Sequence, residues 1–326
     1  MPSIDASDLD RMRSNLLFDG PDRSTKLSRF WSLLILSACI GAAGVVADST
    51  ATVIGAMIIA PLMVPIMGSV LAITTSDRDN LARSVILIIG GAAAAIVIGY
   101  LFGMINPIAV TADTSSQVST RVSPRLIDLL AALATGAAGA FAQCRDDVSD
   151  TLPGVAIAIS LVPPLAVVGL TLEAGELAQA TGALLLFATN VGAILLSGVI
   201  VMAVFGVHTV NLDVPTRPLN RRRAIQFVVM LAVIITLPLA AATSKFIRDR
   251  QIDAKVSEAA SAWSAESDWT VIDVTRVRGA VQVTASGPAP FPSTADLRRQ
   301  LIRAGLGEMI VTVRMIPEEK IELPGG

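Results

Sequence analysis

The sequence predicts an α-helical protein that crosses a membrane about seven times and ends in a small soluble α+β domain. Apolar residues make up 53% of the 326 positions, charged residues make up only 16%, and the mean hydropathy is +0.66. Soluble domains carry roughly 25% charged residues. After Ser244 the composition becomes polar, and no later apolar stretch is long enough to span a bilayer.

Seven apolar segments approach the roughly 20 residues that a spanning helix needs. Six are strong, whereas residues 126–143 are rich in Ala and Gly and contain Asp128. The predicted spans are residues 30–47, 51–73, 84–106, 126–143, 155–172, 181–206 and 223–243. They define a transmembrane domain over residues 30–243, preceded by an arm over residues 1–29. Within the arm, "LDRMRSNLLF" fits either a short amphipathic helix or a solvated leader.

The distribution of basic residues predicts the orientation. One face of the seven-span topology collects twelve Lys and Arg residues, and the other has only Arg121 and Arg125 before the last span. Basic connectors stay in the cytoplasm, so the N-terminal arm is predicted to be cytoplasmic. Seven spans then place the C-terminal domain outside, although Lys245, Arg248 and Arg250 favour the opposite side mildly.

Residues 244–326 form the predicted soluble domain. "KFIRDRQIDAKVSEAASAW" has helical spacing, "WTVIDVTRV" and "AVQVTAS" alternate with period two, "STADLRRQLIRAG" begins with a capping residue, and "EMIVTVRMI" alternates again. The predicted element order is therefore αββαβ. Trp263 and Trp269 are interpreted as core residues.

Two parts of the transmembrane domain resemble each other. Both contain "GAAG", at residues 41–44 and 136–139. An acid, a glycine and a proline follow with spacings of 7 and 10 residues in both: Asp48, Gly55 and Pro65, then Asp147, Gly154 and Pro164. Three spans per unit make the second unit enter from the opposite side, which predicts an inverted repeat over residues 30–106 and 126–206 with one extra helix, 223–243. Chance similarity among Gly/Ala/Pro-rich helices is the alternative.

Paired prolines mark the candidate site. Pro61 and Pro65 interrupt one predicted span, and Pro163 and Pro164 interrupt its counterpart. A proline inside a helix removes a backbone hydrogen bond and frees a carbonyl. Such carbonyls are tolerated at membrane depth only where protein or a water-filled cavity satisfies them, so broken helices often line transport sites. The alternative is that the prolines only shape helix packing.

Polar residues at or within the spans are the other candidates, because they are costly there. Asp48 and Ser49 precede the second span, Asp147 precedes the fifth, and Ser160 and Asn190 lie deeper. All five are predicted to line a substrate or ion path. Helix capping is the competing role for the aspartates, and interhelical hydrogen bonding is the competing role for Asn190.

The sequence gives no indication of an enzyme or of a cofactor. His208 is the only histidine, and no metalloprotease, Walker or nucleophile-elbow motif is present. Cys39 and Cys144 are too few for a disulfide framework or a metal cluster. The near-neutral net charge of -2 lacks the basic footprint of a nucleic-acid partner.

The stretch "ADSTATVIGAMIIAPLMVPIMG" is similar to the bacterial and archaeal hydrophobic membrane proteins of the DUF389 family, whose function is unknown. The matching positions are Asp48, Ser49, Ile54, Gly55, Ala56, Met57, Ile59, Ala60, Pro61, Leu62, Met63, Pro65 and Ile66, followed by "LVPPLAVVG" at residues 161–169. The likeness covers roughly residues 30–206. It implies a multi-helix protein of the bacterial or archaeal cell (inner) membrane and supplies no substrate.

Together these features predict a transporter or channel for a small solute or ion. Its expected partners are the lipid bilayer, the solute and further copies of the chain in a homo-oligomer. The alternative is a non-transporting scaffold or sensor, in which the helices anchor a C-terminal binding domain.

Overall fold

The computed structural model describes residues 4–145, 161–209, 251–265, 269–277, 280–307 and 309–318. The chain divides into two compact units, Met1–Ala242 and Thr243–Gly326. This division lies one residue before the boundary expected from composition. Each unit contains its own hydrophobic core.

The first unit is built from helices. They are α1 (Ala6–Leu16), α2 (Arg23–Val46), α3 (Thr50–Ile59), α4 (Met63–Thr74), α5 (Arg78–Ile105), α6 (Ser116–Ser119), α7 (Leu126–Gln143), α8 (Val162–Glu173) and α9 (Leu177–Val204). A 3-10 turn follows at Val207–Thr209.

The long helices have the length and composition of membrane spans. Among the described residues, α2, α5, α7 and α9 qualify singly, and α3 with α4 qualify together as a pair bent by 46°. They correspond to five of the seven predicted spans, including the weak segment 126–143. The predicted span 155–172 is described only from residue 161, and 223–243 lies outside the described residues. A mostly helical first unit with several helices long and apolar enough to cross a membrane is therefore confirmed, and the count of seven spans stays a prediction.

Helices α2, α5 and α9 begin earlier than the predicted residues 30, 84 and 181. The span 51–73 is broken, as its prolines indicate, because α3 ends at Ile59 and α4 begins at Met63. Helix α2 begins at Arg23 rather than at residue 30. Its polar first turns continue the helix beyond the apolar stretch, and hydropathy alone detects only the apolar part.

The short helices α4 and α8 form the centre of the first unit. Each has 12 residues, and each is buried through ten consecutive positions, Pro65–Thr74 and Val162–Thr171. Helix α4 packs against α5 and α9, and α8 packs against α5, α9 and α2. A helix that is apolar on all sides needs such complete coverage.

The N-terminal arm folds onto this bundle. Asp5 caps α1 in a capping box, and Leu9, Met12 and Leu16 form its buried face. Helix α1 packs against α4 and approaches it closely, since a Cβ on Gly68 would lie 2.7 Å from the Leu16 carbonyl oxygen. The amphipathic stretch of the arm is therefore a helix whose apolar face contacts protein.

A polar network joins the arm to the α4–α5 turn. Arg13 Nη2 lies 3.5 Å from Asp19 Oδ2, and Arg13 Nη1 lies 3.5 Å from Asp77 Oδ2. Asn80 Nδ2 donates to the same two carboxylates, at 2.9 Å and 2.8 Å. The nearly buried charges of Arg13 and Asp77 are thus compensated by their ion pair, and each also has a hydrogen-bonded partner, Asp19 for Arg13 and Asn80 for Asp77.

Contacts at the other end of the bundle join the α5–α7 connector to two neighbours. Asp48, in the α2–α3 connector, accepts hydrogen bonds from Ser115, Ser116 and Gln117. Gln179 Oε1, in the first turn of α9, accepts from the backbone N–H of Ala112 at 2.8 Å. The α2–α3 connector and the start of α9 therefore lie at the same end.

The second unit contains a three-stranded sheet. Its elements are α10 (helical over residues 251–265), β1 (Thr270–Val277), β2 (Ala280–Gly287), α11 (Thr294–Arg303) and β3 (Val311–Pro317). Strand β2 is central, with β1 antiparallel and β3 parallel to it. The elements follow the predicted order αββαβ.

Both helices of this unit pack on one face of the sheet. Val281, Val283 and Ala285 alternate along β2, so they share that face, and they lie in one core cluster with residues of α10 and α11. Trp263 Nε1 donates to the Ser293 carbonyl at 3.0 Å, and Trp269 Nε1 donates to the Pro288 carbonyl at 2.8 Å. The two tryptophans are buried core residues, as predicted.

Candidate functional site

The break between α3 and α4 is the first part of the candidate site. Ala60 is in an extended conformation with ψ of 122°, which ends α3, and Pro65 lies in the first turn of α4. Because Pro61 has no N–H, the Met57 carbonyl loses its usual i+4 donor. At the break, the Pro61 carbonyl accepts a hydrogen bond from the N–H of Val64, three residues later, at 3.1 Å. Pro61 thus lies at the interruption of the helix, as its position in the sequence predicts, whereas Pro65 lies inside α4.

A cavity of about 520 Å³ opens at this break. Pro61 and Val64 line it from the start of α4, and Ile58 and Ile59 line it from the end of α3. The remaining wall comes from the α1–α2 segment, from the first turns of α2 and from Gln143 at the end of α7. We call this space the break cavity.

The five polar residues that line the break cavity, Ser14, Asn15, Lys26, Arg29 and Gln143, were not singled out from the sequence. Lys26 and Arg29 line it from α2, and Gln143 lines it from α7. Lys26 Nζ donates to the Leu17 carbonyl at 3.0 Å. Gln143 is 6% exposed, and its Oε1 atom has no hydrogen-bond partner. A buried amide oxygen without a donor is costly, so it is a signal that only the folded structure reveals.

The second pair of prolines lies at the start of α8. Pro163 and Pro164 occupy the first positions of that helix, where a missing N–H costs no helical hydrogen bond, and both are buried. Among the described residues, which here begin at Leu161, no side chain caps this helix start. Asp147 and Ser160, which were predicted to belong to the same region, lie outside the described residues.

Asn190 lies inside α9, surrounded by protein. It is 7% exposed, and its Oδ1 atom has no hydrogen-bond partner in the part of the chain that the structure describes. Its neighbour Thr189 donates back to the Leu186 carbonyl at 2.9 Å. The interhelical hydrogen bond considered from the sequence is therefore not made by the Asn190 oxygen.

Asp48 and Ser49 stabilise local structure at the α2–α3 connector. Asp48 Oδ1 accepts from Ser115 Oγ at 3.0 Å, from Ser116 Oγ at 2.9 Å and from the Gln117 N–H at 3.0 Å. Ser49 caps α3 by accepting from the Thr52 N–H at 3.3 Å. Hydrogen bonds from the Gln117 N–H and the Ser116 hydroxyl lower the pKa of Asp48, because they stabilise its charged form.

The break cavity brings together only part of the predicted path. It contains Pro61, but its described lining includes none of Asp48, Ser49, Pro65, Pro163, Pro164 or Asn190. Pro65 is buried within α4, and Asp48 belongs to the end of the bundle that holds the α5–α7 connector. The described residues contain no group of three His, Cys, Asp or Glu side chains suited to a metal ion.

Comparison with known proteins finds similarity over part of this core. Residues 57–196 match the family described as a domain of unknown function, DUF389. The chain is also 34% identical over 175 residues to an uncharacterized protein of the archaeon Methanocaldococcus jannaschii. That alignment covers 54% of this chain and 53% of the relative, so the chain spans about half the length of the relative that it matches. No solved structure matches.

Proposed function

Taking the chain as a membrane protein of the DUF389 family, whose core is matched over residues 57–196, we propose that it is a transporter or channel for a small solute or ion in the cell (inner) membrane. The path is formed by two broken helices of an inverted three-plus-three repeat. One observation carries this proposal: the buried short helices α4 and α8 occupy equivalent positions in the sequence.

The equivalence extends to helix bounds. Helix α8 starts at Val162, 99 positions after Met63 of α4 (162 minus 63), and both helices have 12 residues. Helix α9 starts at Leu177, 99 positions after Arg78 of α5 (177 minus 78), and both helices have 28 residues. The acid, glycine and proline spacings of the sequence have this same offset.

The turns after the two short helices also agree. Ser76 and Gly175 are 99 positions apart (175 minus 76), and both have positive φ, 59° and 77°. Asp77 N–H donates to the Ala72 carbonyl and Glu176 N–H to the Thr171 carbonyl, each at 2.8 Å. These are the same helix-ending hydrogen bonds, placed at the same register.

The contacts between the two units follow the same symmetry. A Cβ on Gly198 of α9 would lie 2.9 Å from Val70 Cγ2 of α4. The positions 99 residues away are Gly99 of α5 and Gly169 of α8, and a Cβ on Gly169 would meet the backbone around Gly99. Each short helix therefore crosses the long helix of the other unit at an equivalent point, which supports a duplication over chance similarity.

A site between the units follows from this arrangement. Three spans per unit invert the second unit, so the N-termini of α4 and α8 both belong at the middle of the membrane. Broken helices leave N–H and carbonyl groups there for a solute. The proposed path is lined by Asp48, Ser49, Pro61, Pro65, Asp147, Ser160, Pro163, Pro164 and Asn190.

Flux through purified protein in proteoliposomes tests the proposal against a panel of inorganic ions and small metabolites. Pro61→Ala restores an N–H and relieves a helix penalty of about 3 kcal/mol, so it favours a continuous helix. We expect at least a roughly tenfold lower flux in this variant. Pro107→Ala, which changes an exposed proline of the α5–α7 connector, is the matched control and keeps full flux.

The alternative scaffold or sensor function is favoured by one observation, the separate core of the C-terminal unit. If the chain is a scaffold or sensor, deletion of residues 244–326 abolishes binding by the C-terminal domain, whereas the Pro61→Ala variant retains that binding. An oriented, folded preparation that moves no member of the panel, with wild-type protein and Pro61→Ala alike, contradicts transport.

A further inference from the structure

We infer that the break cavity binds a phosphate group whose molecule also carries a hydroxyl or N–H donor. The inference goes beyond transport, because it rests on the lining of the cavity and is tested by binding. Inorganic phosphate in its protonated forms and the headgroup of an anionic phospholipid share this chemistry.

The cavity favours an anion. Lys26 and Arg29 supply two positive charges, and the described lining contains no carboxylate. Lys26 uses one donor on the Leu17 carbonyl, which leaves two of its three N–H groups for a ligand. Pro61 and Val64 place the cavity at the start of α4, where the helix dipole is positive and no side chain caps the helix.

Gln143 is the independent indication of a ligand. Gln143 lines the cavity and is 6% exposed, and its shielded Oε1 atom has no donor among the described residues. An unpaired buried acceptor is stabilised by any bound group that donates to it. A simple halide satisfies the two cations and offers no donor to Gln143, whereas a phosphate that carries an O–H pairs with both cations and donates to Gln143 Oε1 once that side chain turns toward the cavity.

Apart from Ser14 and Asn15, the remaining wall is apolar and suits more than a small ion. Phe30, Leu33, Ile58 and Ile59 line it, and Ile58 is 54% exposed. The volume of about 520 Å³ falls within the range of about 300–1,000 Å³ that is usual for organic ligands. The cavity therefore has room for the glycerol and upper acyl carbons of a lipid beside the phosphate.

Thermal unfolding and titration calorimetry of the full-length protein test the inference with two probes. Inorganic phosphate is added to protein in neutral detergent, and phosphatidylglycerol, whose headgroup carries hydroxyls, is compared with phosphatidylcholine in nanodiscs. We expect one probe to raise the melting temperature. A shift with inorganic phosphate identifies a soluble ligand, and a shift with phosphatidylglycerol alone identifies a lipid headgroup.

Three variants, Lys26→Gln, Arg29→Gln and Gln143→Leu, locate the binding, and three further variants serve as controls. Lys26→Gln and Arg29→Gln are each expected to weaken binding about tenfold, because each removes a charge-assisted hydrogen bond. Lys26→Arg and Arg29→Lys retain binding, as does Arg23→Gln, which changes an exposed base outside the cavity lining. Gln143→Leu abolishes the preference for phosphate over chloride while the protein remains folded.

Two results overturn the inference. One is that neither phosphate nor phosphatidylglycerol raises the melting temperature of wild-type protein. The other is that the shift survives in the Lys26→Gln/Arg29→Gln double variant. Both results are measured without a flux assay. Failure of the phosphate-site inference is therefore distinguishable from failure of the transport proposal.

Discussion

Asp48 fastens one connector of the bundle to another through a single carboxylate oxygen. Its Oδ1 atom accepts from two serine hydroxyls and from the Gln117 N–H, and its own φ is 50°, which is unusual outside glycine. Asp48→Ala removes all three bonds. We expect faster hydrogen exchange at the Gln117 amide and a lower melting temperature of the full chain in detergent.

The matched control for this residue is Asp113→Ala, an exposed carboxylate on the same connector. Unchanged exchange at Gln117 in Asp48→Ala contradicts the fastening role. The pH dependence has a defined sign: hydrogen bonds lower the pKa of Asp48 in the folded state. Its contribution is therefore present above the unfolded-state pKa and is lost as the pH falls through the lower folded-state pKa.

The sequence predicts a candidate residue well when its effect is local. A proline interrupts its own helix, so Pro61 marks the break without knowledge of the rest of the fold. Gln143 and Arg29 carry no such local signal, because Gln143 ends a weakly apolar span and Arg29 lies in a basic leader. Only the packing of α2 and α7 around the break brings them into one cavity.

Gly68 permits the close approach of the arm helix α1 to the short helix α4. A Cβ at this position would lie 2.7 Å from the Leu16 carbonyl oxygen and 3.1 Å from Ser84 Oγ. Since the oxygen belongs to backbone, relief requires a shift of α1. We expect Gly68→Ala to destabilise the protein by about 1–3 kcal/mol and to increase proteolysis of the arm.

Gly55→Ala is the control for this element. Gly55 lies inside α3, and a Cβ there would meet no atom within 4 Å. Alanine in a helix interior is favoured over glycine by about 0.5–1 kcal/mol, so this variant is expected to be neutral or slightly more stable. Equal destabilisation by both substitutions in chemical unfolding would contradict a contact specific to α1.

At the scale of elements, hydropathy predicts the existence of helices better than their ends. The weak segment 126–143 coincides with α7, whereas the arm predicted to end at residue 29 continues into α2. Polar turns at the start of a spanning helix are missed when the span is located only by its apolar residues. The burial of ten consecutive positions in each of α4 and α8 could not be predicted from the sequence, because an apolar helix that faces lipid has the same composition as one that faces protein.

At the scale of the whole molecule, the connectors of the first unit contact one another in two groups. These groups lie at opposite ends of the bundle, as expected for helices that cross it in alternating directions. The α2–α3 connector, the α5–α7 connector and the start of α9 meet at one end. The arm and the α4–α5 turn meet at the other through Arg13 and Asp77. The positive-inside rule assigns the arm to the cytoplasm, so the end with Asp48 is predicted to lie outside.

Cysteine labelling tests this orientation for both units. In a background with Cys39→Ala and Cys144→Ala, a membrane-impermeant maleimide is applied to spheroplasts that carry one exposed cysteine: Asp113→Cys, Asp79→Cys or Ala295→Cys. Asp113→Cys is expected to react in intact spheroplasts and Asp79→Cys only after lysis, because they belong to opposite ends of the bundle. Ala295→Cys, in the C-terminal unit, reacts in intact spheroplasts if seven spans precede it. Labelling of Ala295→Cys only after lysis requires an even number of spans, and labelling of Asp79→Cys without lysis reverses the orientation.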